Sequence, residues 1–277
     1  MIDVLLATCR PNADWLEAQV SSIRAQRGVD LNLVCREDVT GEGACANFAA
    51  LLQASTAEYV AFADQDDVWL PDKLAKCLAK MRELEQRWGA DMPLLVFSDA
   101  RVVDASLKPL AESLFLRTRV DPLKNLPRQL VFQNTAYGNT MLINAALRRK
   151  ALPVPSQAVM HDHWLMLVVS VFGRIAYLDE PLLLYRQHRN LFGGPQVDAR
   201  YYFRLIRKGR QAIVNGLRRK IAQAEAFVAR YGVGESGPLG ALVGFTGKPK
   251  AVRVWTLFRH AFFKQGLLRN FGLIAFA

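Results

Sequence analysis

Between Glu58 and Leu74 the chain reads EYVAFADQDDVWLPDKL, an apolar run that ends in three aspartates and restarts with helical spacing. Carboxylates this close repel one another and raise each other's pKa unless a cation or a solvent-facing loop relieves them. Residues 59–63 therefore read as a buried strand that delivers Asp64, Asp66 and Asp67 into a loop. Beyond it, Leu74, Cys77, Leu78, Met81, Leu84 and Trp88 recur at three and four residues, with Pro71 at a first helical turn and Gly89 as the stop. A buried strand followed by an amphipathic helix is one unit of an α/β fold.

The alternation continues on both sides. IDVLLAT is a strand, Asp14 to Gln26 a helix ended by Gly28, LNLVCRE a second strand, and ACANFAALLQAS a helix after the turn DVTGEG. Further on, PLLVFSDARVVD and NTMLIN supply strands, HDHWLMLVVSVFG a short apolar helix, and RIAYLDEPLLLYRQH another extended segment. This order predicts a mainly parallel sheet covered by helices. A chain of 277 residues, 51% hydrophobic, has ample material for a core. The longest apolar run, WLMLVVSVFG, stops at Gly173-Arg174, short of a membrane span. The start MIDVLLATCRP lacks the basic region and apolar length of a secretory signal, so the expectation is a cytoplasmic chain. Cys9, Cys35, Cys45 and Cys77 form no C-x-x-C pair and have apolar neighbours, which predicts reduced, mostly buried thiols.

The net charge of +11 is concentrated at one end. Residues 199–277 hold fifteen Lys and Arg against Glu225 and Glu235, a net of +13, whereas residues 1–198 carry −2. In RYYFRLIRKGRQAIVNGLRRK and KAVRVWTLFRHAFFKQGLLRNFG the basic residues alternate with aromatic and aliphatic ones at helical intervals. The first segment predicts a helix between Ala199 and Tyr231, the second one from Lys250 to Phe271, with a boundary at Gly193-Gly194-Pro195. Such helices suit an anionic membrane surface, with a protein partner or plain solvated faces as the other readings. No nucleic-acid-binding motif accompanies them, and no nucleic acid is expected.

Ligands of open α/β sheets sit beyond the carboxyl ends of the strands, where the acids after YVAFA fall. D-x-D-D at such a place suits Mg²⁺ or Mn²⁺, which takes one or two carboxylates and fills its remaining positions with water and substrate phosphates. The alternative is that Asp66 or Asp67 caps the following helix. A metal-dependent nucleotidyltransferase or pyrophosphatase would use the acids on a phosphoanhydride.

YVAFADQDDVWLPDKL and HDHWLMLVVSVFGRIAYLDEPLLLYRQH resemble family 2 glycosyltransferases, in particular the rhamnosyltransferase-like branch. LLAT at the start, NTAYGNTMLIN between the two motifs and FFKQGLLRN near the end extend the resemblance over most of the chain. It implies a three-layer α/β/α nucleotide-sugar-binding domain of the GT-A type over 1–194, with a mainly parallel mixed sheet, and a basic helical extension over 195–277, peripheral on the inner face of the cell membrane. The implied activity is inverting transfer of a sugar, rhamnose in the branch it resembles, from a nucleoside-diphosphate donor to a surface polysaccharide or lipid-linked glycan, with Mg²⁺ or Mn²⁺ as cofactor. Carried onto this sequence, Asp64 and Asp66 match the D-x-D, Asp64 toward the nucleotide and both at the metal, while Asp67 holds the loop or caps the helix. Asp162 matches the general base, with His161 and His163 in supporting places. Arg186 is expected at the diphosphate and His188 at the metal. Ala7, Thr8, Glu37 and Asp38 fall at the nucleotide, and Asn134, Gly138 and Thr140 at the acceptor. The departure is REDVTGEGACANF, which passes straight to the next helix where the family has a longer segment. It keeps open a non-catalytic, membrane- or partner-binding protein with a decayed nucleotide pocket.

Overall fold

Strand residues alternate between two faces of a sheet, and that alternation builds the layers here. Ile2, Val4, Leu6, Tyr59, Ala61, Leu94, Val96 and Leu142 share one buried cluster with Ile23, Leu74, Cys77 and Met81. On the other face, Phe62 meets Phe48 edge-on at 5.9 Å and the ring of His161 at 4.9 Å. The computed structural model describes residues 1–187, 210–233 and 237–276. Its first elements are β1 (Ile2–Thr8), α1 (Ala13–Arg24), β2 (Leu31–Glu37), α2 (Ala44–Ala54), β3 (Tyr59–Ala63), β4 (Val68–Trp69) and α3 (Lys73–Trp88). Then come β5 (Leu94–Val103), β6 (Pro109–Ala111), α4 (Leu114–Thr118), α5 (Pro127–Leu130), β7 (Met141–Asn144), α6 (Ala145–Ala151), α7 (His161–Phe172) and β8 (Arg174–Arg186). The described C-terminal part adds α8 (Arg210–Tyr231), α9 (Lys250–Arg259) and α10 (Leu267–Phe276).

The sheet runs β2-β1-β3-β7-β5-β8-β4, with β6 paired to β5. β1 pairs in parallel with β2 and β3, and β5 in parallel with β8, whereas β7 is antiparallel to both β3 and β5. The reversed strand matters for the site. Because Leu142 pairs with Ala61 and Asn144 with Tyr59, β7 begins beside the carboxyl end of β3 and carries the turn Gly138–Thr140 there. β4 pairs with the end of β8, Val68 opposite Leu184, which returns the acidic loop toward Arg186. The expected α/β/α arrangement with a mixed sheet is therefore the observed one.

The chain divides into two compact units that differ from a cut at residue 194. The first comprises Met1–Arg117, Ala136–Val154 and the stretch from Met160 on through β8; the second joins Thr118–Thr135 and Pro155–Val159 to the C-terminal helices. Side-chain bonds within the second unit explain the grouping. Lys220 Nζ donates to Phe132 O at 2.7 Å, Gln223 Oε1 accepts from Val159 N at 2.8 Å, and Gln265 exchanges bonds with the backbone of Asp121. Phe132 and Phe262 add an edge-to-face pair at 5.6 Å. The boundary expected at Gly193–Pro195 lies outside the described residues, as does the 199–209 part of the first basic helix.

Three local expectations are corrected. The helix expected from Lys250 to Phe271 is two helices, because Ala261 takes a left-handed conformation (φ 51°) and Phe262 N–H bonds back to Leu257 O at 2.9 Å, closing a helix-ending motif around two buried side chains. Pro71 precedes α3 rather than lying in its first turn, which starts after Asp72. None of the four cysteines is in a disulfide, as expected, but Cys9 and Cys35 are exposed and Cys77 alone is buried. β2 is an edge strand, so its alternate residues face solvent, and Cys9 follows the last residue of β1.

Gly173 has a packing reason. A Cβ built there would stand 1.9 Å from Pro93 O, the carbonyl that accepts Arg174 N–H where the β5–β8 pairing begins. Gly173→Ala is expected to destabilise the chain by about 3 kcal/mol, read as a lowered urea midpoint; an unchanged midpoint would contradict this packing.

Candidate active site

The carboxyl ends of β1, β2 and β3 and the start of α7 surround a cavity of about 340 Å³. Its lining includes Ala7, Thr8, Asp38, Asn47, Phe48, Asp64, Asp66, Gly138, His161 and Asp162. The acidic loop is fixed from several directions. Gln65 closes on the backbone of Cys9, accepting from its N–H at 2.7 Å, and the buried Gln19 amide donates to Asp64 O at 2.9 Å. Asp67 is fully buried beneath; it accepts the Arg186 N–H at 3.1 Å on one oxygen and the Asn139 amide on the other. Asp67 is thus a brace between strand ends, not a helix cap, since α3 begins five residues past Val68.

Asp162 stands in the first turn of α7, behind Met160 at the N-cap position. Its carboxylate accepts His163 N–H at 2.6 Å and Gly138 N–H at 3.1 Å. Burial pushes its carboxyl up to about 6, while those backbone donors hold it down. Asp64 is pushed up to about 7, first by burial and then by the charges of Asp66 and Asp162. Asp67 is also raised well above the ordinary carboxylate range, chiefly by burial and then by Asp64 and Asp66.

Of the expected site residues, Ala7, Thr8, Asp38, Asp64, Asp66, Gly138 and Asp162 line one cavity. Four others are placed differently. Glu37 is exposed and lies outside the lining. Arg186 is buried and also outside it: Nε donates to Asp66 O at 2.7 Å and Nη1 to Ala105 O, so the fork meant for a diphosphate braces the acidic loop instead. Thr140 is buried with its hydroxyl on Tyr137 O at 2.7 Å. Asn134 belongs to the second unit. His188 lies outside the described residues. Asp38 lines the cavity but gives both oxygens to its own loop, accepting from Gly41, Glu42 and Gly43 at 2.7 to 3.0 Å. Those backbone donors, Gly43 first, hold its carboxyl below the ordinary range. Sequence reasoning missed Asn47, Phe48, Tyr137 and Tyr185 in the lining; a buried Asn in an otherwise apolar helix was the available signal for Asn47.

Comparisons with known proteins agree with this geometry. Residues 11–87, which run from the start of α1 to the end of α3 and include Asp64, Asp66 and Asp67, match the family model described as Glycosyl transferase family 2. The structure of S. aureus TarS 1-349 in complex with UDP is 14% identical with a TM-score of 0.51, over 94% of this chain and 87% of that one. The fold is that of the GT-A glycosyltransferases. TarS 1-349 in complex with UDP-GlcNAc gives 15% identity and a TM-score of 0.50, over 94% and 80% of the two chains. No curated protein matches the sequence.

The residues suit a divalent cation held in part by the protein. Asp64 and Asp66 offer two carboxylates at one cavity wall, and Asp64, raised first by burial and then by the Asp66 and Asp162 charges, is a carboxyl whose ionised form a cation would favour. Among the described residues no set of three or more His, Cys, Asp and Glu is arranged to hold a metal unaided, so further ligands would come from substrate phosphates and water.

The raised carboxyls fix a pH dependence. Asp64 keeps its proton in the fold up to about pH 7, whereas the unfolded chain releases it near 3.8. The folded state then binds more protons across that window, so stability in the absence of divalent metal falls as pH rises through it. Urea unfolding in chelator at pH 5 and pH 7.5 is expected to show this decline, and Asp64→Asn to flatten it; the same slope in both chains would refute the assignment.

Proposed function

We propose that this chain is an inverting family 2 glycosyltransferase that moves a sugar from a nucleoside-diphosphate donor to an acceptor hydroxyl. The observation that carries the reading is the convergence on one cavity of Asp64 and Asp66 from the end of β3 with Asp162 from the start of α7. Pairs of carboxyls whose surroundings relieve them differently divide labour in catalysis. Asp162, with its carboxylate oriented by two backbone N–H groups, is the general base: it takes the proton of the acceptor hydroxyl as that oxygen bonds to the anomeric carbon and the bond to the diphosphate breaks. Asp64 and Asp66 would hold Mg²⁺ or Mn²⁺, which supplies neutralising charge for the leaving diphosphate. Gly138 holds the base through its N–H and stands where an acceptor would approach. TarS bound UDP and UDP-GlcNAc in the matched structures, which supports a nucleotide-sugar donor here. Rhamnose as the sugar, and a surface polysaccharide or lipid-linked glycan as acceptor, are the finer part of the proposal and rest on the sequence motifs.

The test is donor-dependent release of nucleoside diphosphate across a panel of nucleotide sugars with Mg²⁺ or Mn²⁺. Asp162→Asn should lower kcat by about 100-fold or more and leave donor affinity nearly unchanged, while Asp66→Ala should remove the metal-dependent rate. Because the base works deprotonated, the parent rate should fall on the acid side as pH drops through about 6. Parent-like rates in both variants would end the assignment.

The membrane part of the proposal has its own observation. Trp255 and Phe258 of α9 are 62% and 57% exposed, and Leu267 and Phe271 of α10 are 91% and 76% exposed, on helices that also carry Lys250, Arg253, Arg259 and Arg269. Exposed aromatic side chains among cations suit the interface of an anionic bilayer. The full chain is expected to float with vesicles containing phosphatidylglycerol, and Trp255→Ser with Phe258→Ser to float less; equal flotation of both chains would refute the role of this face.

A further inference from the structure

His161 has no role in the acid–base step above, and the fold makes no polar use of it. Its ring is buried, 4.1 Å from the ring of Phe48 and 4.9 Å from that of Phe62 between centroids. Among the described residues neither Nδ1 nor Nε2 has a hydrogen-bond partner. A buried polar atom left without a partner costs stability, and an apolar ring would fill the same space without that cost. The imidazole nevertheless lines the cavity beside Asp162. Burial pushes its pKa down to about 3, so at neutral pH the ring is uncharged, one nitrogen donating and the other accepting.

The placement narrows the ligand. On one side the ring stacks on Phe48, the neighbour of Asn47, whose amide holds the ends of β1 and β2 by donating to Thr8 O and Arg36 O. On the other side is Gly138, where an added Cβ would stand 2.7 Å from His161 Nε2 and 3.6 Å from Asp162 Cβ. The N–H of that glycine holds the Asp162 carboxylate. His161 therefore lies between the strand ends that face a nucleotide and the residue that activates the acceptor. The sugar in transit must occupy that interval, because its anomeric carbon is bonded to the diphosphate before the reaction and to the acceptor oxygen after it. A sugar hydroxyl both donates and accepts, as a neutral imidazole does, whereas a phosphate would call for a cation.

We propose that His161 is a sugar-binding residue whose uncharged imidazole hydrogen-bonds a hydroxyl of the sugar being transferred. This rests on the reading of the cavity as a nucleotide-sugar site. It assigns the histidine to donor-sugar recognition rather than to support of Asp162. It also gives Gly138 a second purpose, since a side chain at that position would push the imidazole away.

Calorimetry with the full chain and Mn²⁺ tests it, using UDP-GlcNAc, GDP-mannose and dTDP-rhamnose, each paired with its bare nucleoside diphosphate. For the pair in which the sugar tightens binding to the parent chain, His161→Phe should lose about tenfold of that gain while affinity for the bare diphosphate stays the same. The thermal midpoint of the variant should hold or rise, since no protein partner is lost. His161→Gln, which restores a donor and an acceptor, should recover part of the gain. An unchanged sugar contribution in His161→Phe overturns the inference and leaves the glycosyltransferase reading standing. Equal loss for the diphosphate and its sugar, with a lowered midpoint, marks a packing role and also overturns it. If no sugar tightens binding to the parent chain, the inference falls together with the reading on which it rests.

Discussion

Asp67 is the constraint on which the site depends. The sheet order places β8 three positions from β3, with β7 and β5 between them. β3 itself does not pair with β8, but β4, just past the acidic loop, does, with Val68 opposite Leu184. The Asp67 carboxylate adds a second tie, accepting the Arg186 N–H on one oxygen and the Asn139 amide from the turn before β7 on the other. Arg186 returns the contact, its guanidinium donating to Asp66 O and Ala105 O and its face lying 5.0 Å from the Trp15 ring. Removing the Asp67 side chain would leave those buried donors unsatisfied, at about 1–3 kcal/mol each, and would loosen the three segments together.

The cations beside the acidic loop act on it through space: Asp66 and Asp67 offset the lowering of the Arg186 pKa by burial, and Asp67 offsets that of Lys73. Arg186 directs its guanidinium donors at carbonyls, and Lys73, fully buried, sits 3.9 Å from the Trp69 ring centroid, its ammonium finding no acceptor among the described residues. Asp64 has acids as its main electrostatic neighbours, whereas Asp162 is supported by backbone N–H groups at a helix start. A cation would therefore act far more on the first carboxyl than on the second, which keeps metal holding and proton removal on separate groups.

Much of this was legible in the sequence because period and position carried it. Strand alternation placed β1, β2, β3, β5 and β8, and the helical spacing from Leu74 to Met81 gave the buried face of α3. Asp64 and Asp66 could be singled out as acids following a buried strand, whereas Asp162 stood out only through the resemblance to family 2 glycosyltransferases. What could not be read were choices made in three dimensions. Arg186 has the chemistry for phosphate, but whether its fork turns to the cavity or to Ala105 O depends on a contact 81 residues away in sequence. The second unit draws residues 118–135 and 155–159 from inside the first, and no shift in composition marks those cuts. His161 looked subordinate to Asp162 because its lack of polar partners is a property of packing.

The shortened segment after Asp38 has a physical consequence for donor choice. With α2 starting at Ala44 and no side-chain cap from Gly43, the amides of Gly41, Glu42 and Gly43 need an acceptor, and the Asp38 carboxylate supplies it. Asn47 is spent as well, between Thr8 O, Arg36 O and the Arg36 guanidinium at 2.8 Å. The side chains best suited to read a nucleoside are thus holding the rim of the cavity. In the proposed enzyme, discrimination among bases would then fall to the shape of that rim. The sugar end keeps an unpartnered imidazole for recognition. On the proposed reading, such a site would select its donor more by the sugar than by the base.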